Sequence, residues 1–221
     1  MASALLLEDY CVQLKGRIDA AYSAGGYTLG WRLLSSPAAV MDGAEIAFVG
    51  LNPGGARLRS DHSELAMREG SAYVDEVWDN ARTAGENPLQ RQVRALFDRL
   101  SVAPENVLAG NLVPFRSPSW SSLPNSRTAL AFGEEIWTEL FERARPKLVI
   151  GMGLELLSPL SRTLGAFDPV RHSVAWGNVT AAKATFPTGK LVVLPHLSRF
   201  GIVTRPQSRP ALDLLFRDRP A

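Results

Sequence analysis

Four short runs in this chain are apolar throughout rather than alternately apolar and polar: Ile46-Ala47-Phe48-Val49, Val107-Leu108-Ala109-Gly110, Leu148-Val149-Ile150-Gly151 and Leu191-Val192-Val193-Leu194. A strand reads this way when both faces of its pleat are covered, the condition of a parallel sheet between helical layers. The segments between the runs have helical character. Residues 3–21 carry Leu5, Leu6, Tyr10, Leu14 and Ile18 near helical spacing, and Gly25-Gly26 ends them. Asn87-Pro88 is an N-cap with proline at the first helical position, opening a helix to Leu100 on Val93, Leu96 and Phe97. Further helices are predicted from Asn125 or Ser126 to near Arg145, over 154–164 and over 207–216, and 174–186 reads as a strand or hairpin. The expectation is one three-layer α/β domain over residues 1–221, with a four-stranded, mainly parallel sheet.

Several classes are excluded. No apolar run reaches the ~18 residues of a membrane span. The N-terminus lacks the pattern of a secretory leader, so a cytoplasmic setting is expected. Cys11 is the only cysteine, which rules out an internal disulfide and an iron–sulfur cluster held by four cysteines of this chain. His62 and His172 have no metal-ligand spacing to each other or to a cysteine, so no metal or other cofactor is expected. The net charge is only +2, but arginines far outnumber the lysines, which are Lys15, Lys147, Lys183 and Lys190. The C-terminal part holds Arg199, Arg205, Arg209, Arg217 and Arg219 against Asp213 and Asp218. Arginine suits phosphate recognition. A GC-rich coding sequence accounts for the same excess without any ligand.

Three of the apolar runs end in a polar residue at the place where open α/β sheets bind ligands. The first exits through Gly50-Leu51-Asn52-Pro53-Gly54-Gly55, the second through Asn111-Leu112-Val113-Pro114-Phe115-Arg116, and the last through Pro195-His196-Leu197-Ser198-Arg199. A polar loop through Arg57, Arg59, Asp61 and His62 leads from the first to Gly70-Ser71-Ala72-Tyr73-Val74. Asn52, on a turn stiffened by Pro53, can hold a water by its carbonyl oxygen, or it simply ends the strand. Asn111 offers a donor and an acceptor side by side, matching the O4 and N3–H edge of uracil or thymine, or it bonds a neighbouring loop. His196 can donate a hydrogen bond to an oxygen that gains negative charge, provided its second nitrogen is tied to an acceptor such as Ser198 or a backbone carbonyl; otherwise it is structural.

Taken together these segments resemble the motifs of the uracil-DNA glycosylase superfamily over residues 44–200. Gly50-Leu51-Asn52-Pro53-Gly54 is similar to its first motif in the Gly-x-Asn-Pro-Gly form of the mismatch-specific and single-strand-selective branches. Asn111-Leu112-Val113-Pro114 is similar to the segment whose asparagine reads the base. Pro195-His196-Leu197-Ser198-Arg199 is similar to the last motif, with Leu197 where a proline is usual. Gly70-Ser71-Ala72-Tyr73-Val74 resembles a Gly-x-Pro-Phe-Val stretch whose aromatic ring stacks on the base.

The resemblance implies a monomeric, cofactor-free DNA glycosylase that hydrolyses the bond between a flipped-out uracil or related base and its sugar. Asn52 and His196 would be catalytic. Gly50, Leu51, Pro53, Gly54, Tyr73, Asn111 and Ser198 would bind the base, and Arg199 or Phe200 would fill the gap in the duplex. No lysine stands in the three motifs to form a Schiff base, so no strand-cleaving step is expected. Alternatives are a non-catalytic DNA-binding relative, an enzyme for a deaminated purine or phage-type modified pyrimidine, and a nucleotide-binding domain using Gly151-Met152-Gly153. That last segment has Leu156 in place of the third glycine of a dinucleotide fingerprint.

Overall fold

The four apolar runs become four neighbouring parallel strands of one sheet. In the computed structural model, which describes residues 6–58, 64–79 and 81–217, the strands are β1 (Ile46–Gly50), β2 (Leu108–Asn111), β3 (Leu148–Met152), β4 (Phe167–Trp176), β5 (Val179–Phe186) and β6 (Gly189–Leu194). Their order is β2-β1-β3-β6-β5-β4. The pairs β1–β2, β1–β3 and β3–β6 are parallel, and β5 runs antiparallel to both β6 and β4. The sheet therefore has six strands, not the four expected. The hairpin read over 174–186 begins earlier, at Phe167, and both its strands join the sheet. The added strand β4 lies at the sheet edge with only Val174 buried, so it lacks the apolar run that betrays a doubly covered strand.

Side chains alternate across the pleat and separate two cores. Ala47 and Val49 face a layer built by α1 (Leu7–Ala24), α4 (Ser126–Ala144) and α5 (Leu157–Leu164), with Leu14, Ile18, Trp137, Leu140 and Leu160 at its centre. Ile46 and Phe48 face α2 (Ala72–Asp75), α3 (Pro88–Arg99) and α6 (Arg209–Phe216) through Tyr73, Val93, Phe97, Leu212 and Leu215. The predicted N-terminal helix begins at Leu7 and runs to Ala24. The helix expected over 154–164 is divided into a 3-10 turn (Leu154–Leu156) and α5. Asn87 and Gln90 form the capping box that starts α3. Arg59, Asp61 and His62, like Asp218 and Arg219, lie outside the described residues.

Two features of the backbone prepare the C-terminal end of the sheet. The outer edge of β2 is lined by the segment 31–36, bridged at Leu34–Gly110 and Trp31–Phe115. In addition, the parallel ladder of β1 and β2 continues beyond the strands: Leu112 and Val113 donate to the carbonyls of Gly50 and Leu51 at 2.8 Å, and Ser117 donates to Pro53 at 3.1 Å. The loops after the first two strands are thus held side by side.

Candidate active site at the strand ends

Asn111 and Gly50 are register partners at the ends of β2 and β1. A β-carbon on Gly50 would lie 2.7 Å from Asn111 Oδ1 and 3.5 Å from Met152 Cε, so the Asn111 carboxamide crosses the end of β1 and only glycine leaves room for it. The backbone of Asn111 is pinned on both sides. Its N–H donates to Leu33 at 3.0 Å, and its carbonyl accepts from Trp137 Nε1 at 2.8 Å. The next step across the sheet pairs Met152 of β3 with Leu194 of β6, and Gly153 donates to the Leu194 carbonyl at 2.9 Å. His196 follows two residues later. Asn111, Gly50, Met152 and the approach to His196 therefore occupy four consecutive strand ends.

Asn52 is half-buried, and its orientation is fixed by a directional chain. Ser117 Oγ donates to the Ser119 carbonyl at 2.8 Å and so accepts from Asn52 Nδ2 at 2.8 Å. The same nitrogen reaches the carbonyls of Pro53 and Phe115, each at 3.3 Å. Only an amide nitrogen can satisfy these partners, so Oδ1 is the atom left to accept from a ligand or water. Pro53 beneath it is buried, Leu51 half-buried and Gly54 exposed.

His196 is half-buried, and its Nδ1 lies 3.3 Å from the Ser198 N–H and 2.8 Å from Ser198 Oγ. The backbone N–H can only donate, which makes Nδ1 an acceptor and places the proton of a neutral imidazole on Nε2. This corrects the expected arrangement, in which the second nitrogen needs an acceptor: Ser198 is the partner but serves as a donor. Burial lowers the His196 pKa below its ordinary value; the nearby Glu155 carboxylate opposes this and Arg199 adds to it. The His196 carbonyl accepts from both Arg199 and Phe200, closing a tight turn. Leu197 is 2% exposed and anchors that turn in the core, a role that needs an apolar side chain but no proline. Arg199 is exposed and Phe200 half-buried.

Tyr73 does not join this group. Its ring is 4% exposed and is met edge-on by Phe48, Trp78 and Phe97, and burial raises its hydroxyl pKa well above the usual tyrosine value. The expected stacking face is thus occupied by core packing, because the short helix α2 is drawn inward where Gln90 of α3 donates to the carbonyls of Ala72 and Glu76 at 2.8 Å each. A cavity of about 620 Å³ beside α2 is lined by Arg32, Met67, Gly70, Asp75 and Glu76 and includes none of Asn52, Asn111 or His196.

The residues that hold the site in place carry little local sequence signal. Gln92 of α3 donates to Thr204 Oγ1 at 2.6 Å and accepts from the Val203 N–H at 3.0 Å, tethering the loop after His196. It was detectable in principle as a polar residue within the apolar stripe of α3. Ser117 and Trp137 left no comparable signal, since each acts through a backbone or side-chain contact far along the chain. Glu155 folds over Gly153, where a β-carbon would meet its Oε1 at 2.6 Å and where φ is +114°. No protein-family model matches the chain, and no curated protein is detectably similar to it in sequence.

Proposed function

We propose that this protein is a monofunctional DNA N-glycosylase that releases uracil or a related base. The observation that carries the reading is the placement of Asn111, Asn52 and His196 at one end of the sheet, with the Asn52 amide and the His196 imidazole oriented by fixed neighbours and the Asn111 backbone pinned by Trp137. Bond cleavage leaves an oxocarbenium-like sugar and puts negative charge on the departing base. A neutral Nε2–H aimed at that charge stabilises the transition state more than the ground state, and the imidazole needs no reorientation because Ser198 already fixes its tautomer. Asn52 Oδ1 accepts from the water that adds to the anomeric carbon; the water's proton passes to solvent as the bond to the base breaks. Asn111 reads the base edge. In a duplex, Arg199 or Phe200 would fill the emptied stack. Tyr73 is left out of base stacking.

A nucleotide-phosphate site at Gly151-Met152-Gly153 is disfavoured by two facts. The Gly153 N–H is already spent on Leu194, and the Glu155 carboxylate lies over the glycine, so an anion would meet negative charge there.

The direct test is a panel of single- and double-stranded oligonucleotides containing uracil, a thymine mismatch, hypoxanthine, xanthine or hydroxymethyl-type bases, each assayed for alkali-labile breaks. Release of at least one base is expected, in the presence of EDTA as in its absence. Binding to DNA with no release from any of them would leave a non-catalytic DNA-binding protein.

Two predictions probe the roles. Asn111→Asp replaces a donor by an acceptor opposite the uracil edge, and a mismatched buried polar pair typically costs about 1–3 kcal/mol. The preference for uracil over cytosine should fall by about ten- to a hundredfold, measured as release from the two single strands. An unchanged preference would make Asn111 structural.

The second concerns pH. Protonating His196 places Nδ1–H against the Ser198 N–H, donor against donor, and disrupts the turn. Because burial lowers the His196 pKa from 6.5, release should hold on acidification through that pH and fall only below it. Glu155→Gln removes the charge that favours the protonated form, so the acid limb should move to lower pH; Arg199→Ala should move it to higher pH. Single-turnover pH profiles decide this, and opposite displacements would show that His196 is not the titrating group.

A further inference from the structure

From 169 to 212 the chain contains no Asp or Glu, although it has 22 of them in all, while six of its 24 Lys and Arg fall in this stretch. The stretch carries +6 and the rest of the chain −4; Lys190 is buried at the start of β6 with its Nζ on the Arg217 carbonyl, and the four arginines of the stretch are nearer the surface. The stretch spans most of the β4–β5 hairpin, β6, the His196 turn and the start of α6. Arg17, Arg32, Arg94, Arg99, Arg143 and Arg162 each meet a carboxylate. Among the described residues no ion pair engages Arg171, Arg199, Arg205 or Arg209.

The hairpin brings aromatic surface to the same place. Ala182 of β5 pairs with Val193 of β6, so the beginning of β5 lies toward the His196 end of the sheet, and Trp176 pairs with Val179 across the hairpin tip. There the guanidinium of Arg205 sits 4.7 Å over the Trp176 ring, and Phe200 meets Trp176 at 82° with centroids 6.0 Å apart. All three side chains remain partly exposed. The loop that supplies Phe200 and Arg205 is tethered by Gln92 on the far helix, so the cluster is held in place before any ligand arrives. Unneutralised arginines around partly open aromatic rings are what a single nucleic-acid strand binds: phosphates to the cations, unpaired bases to the rings.

We infer that the β4–β5 hairpin tip, with Phe200 and Arg205, is a second nucleic-acid subsite that takes an unpaired nucleotide flanking the one held at His196, and that single-stranded DNA is therefore the preferred form of the substrate. The inference rests on the glycosylase reading for the meaning of His196, but the subsite itself stands on charge and aromatic geometry outside the catalytic group.

The experiment compares the full chain with Arg205→Gln and Trp176→Ala in binding an oligothymidine single strand and its duplex with oligoadenosine, alongside base release from a uracil-containing single strand. Wild type should bind the single strand more tightly than the duplex. Each variant should lose about tenfold in single-strand affinity, with the duplex much less affected, as expected for one stacked base. Arg205→Gln should also flatten the plot of log affinity against log salt by about 0.7. Arg94→Gln, which removes a charge elsewhere, should do neither. Wild-type preference for the duplex, or variants with unchanged single-strand affinity and salt slope, would overturn the subsite. If Trp176→Ala melts early, Arg205→Gln decides alone, because it leaves the ring in place. Base release with no hairpin dependence of binding overturns the subsite only. Hairpin-dependent binding with no release from any base supports the subsite and overturns the catalytic reading.

Discussion

His196→Ala is expected to slow base release by about two to three orders of magnitude, the usual worth of one preorganised donor at a developing negative charge. DNA affinity should change little, because the half-buried imidazole contributes little to the surface that meets phosphate. The contrast is Arg199→Ala. Its exposed guanidinium should matter to binding and to the salt dependence of binding, and much less to the rate at saturating DNA. Single-turnover release and equilibrium binding separate the two. If both variants lose affinity to the same extent and neither loses rate, His196 is a binding residue and the proposed chemistry is wrong. The Ser198 contact adds a finer test. Ser198→Ala removes Oγ but keeps the backbone N–H on Nδ1, so it should cost far less than His196→Ala.

Trp137→Ala should be the most damaging of these changes to the fold, at about 3–5 kcal/mol, out of the roughly 5–15 kcal/mol by which domains of this kind are stable. The ring is fully buried between α4 and the sheet, and its Nε1–H is the partner of the Asn111 carbonyl. Truncation therefore opens a cavity and orphans a backbone acceptor at the end of β2. Trp137→Phe keeps most of the volume and loses only the hydrogen bond, at about 1 kcal/mol, but it should loosen Asn111 and erode base selectivity while the protein remains folded. Urea unfolding with an unchanged slope reads the stability difference. A Trp137→Ala midpoint equal to wild type would mean that α4 does not pack as described.

How much was legible in the sequence differs by element. The four parallel strands could be read directly, since burial on both faces leaves uninterrupted apolar runs. The α3 start was equally plain, because Asn87, Pro88 and Gln90 act on their own neighbours. The edge strand β4 could be read only at its end, from Val174 onward. With one face and one edge open to solvent it tolerates Asp168, Pro169 and Arg171, and no periodic signal survives. The same difference between local and distant causes divides the site. Asn52, Asn111 and His196 stand out as polar residues at the ends of apolar strands, a local pattern.

Their working geometry followed from nothing local. The amide of Asn52 is oriented by Ser117, 65 residues away, and the loop after His196 is held by Gln92, more than a hundred residues earlier. Tyr73 shows the limit most clearly: a motif places an aromatic residue there, but whether its ring meets a ligand or Phe48 and Phe97 depends on how far α3 draws α2 into the core. Residue order alone sets the α/β class, the parallel strands and the polar residues at their ends, because backbone periodicity and strand burial are written residue by residue. The six-stranded width of the sheet, the proton on His196 Nε2, the burial of Tyr73 and the meeting of Trp176, Phe200 and Arg205 were decided only in the tertiary structure. Each depends on which distant groups come within a few ångströms of one another, and hydrogen bonds and ring contacts act only at that range.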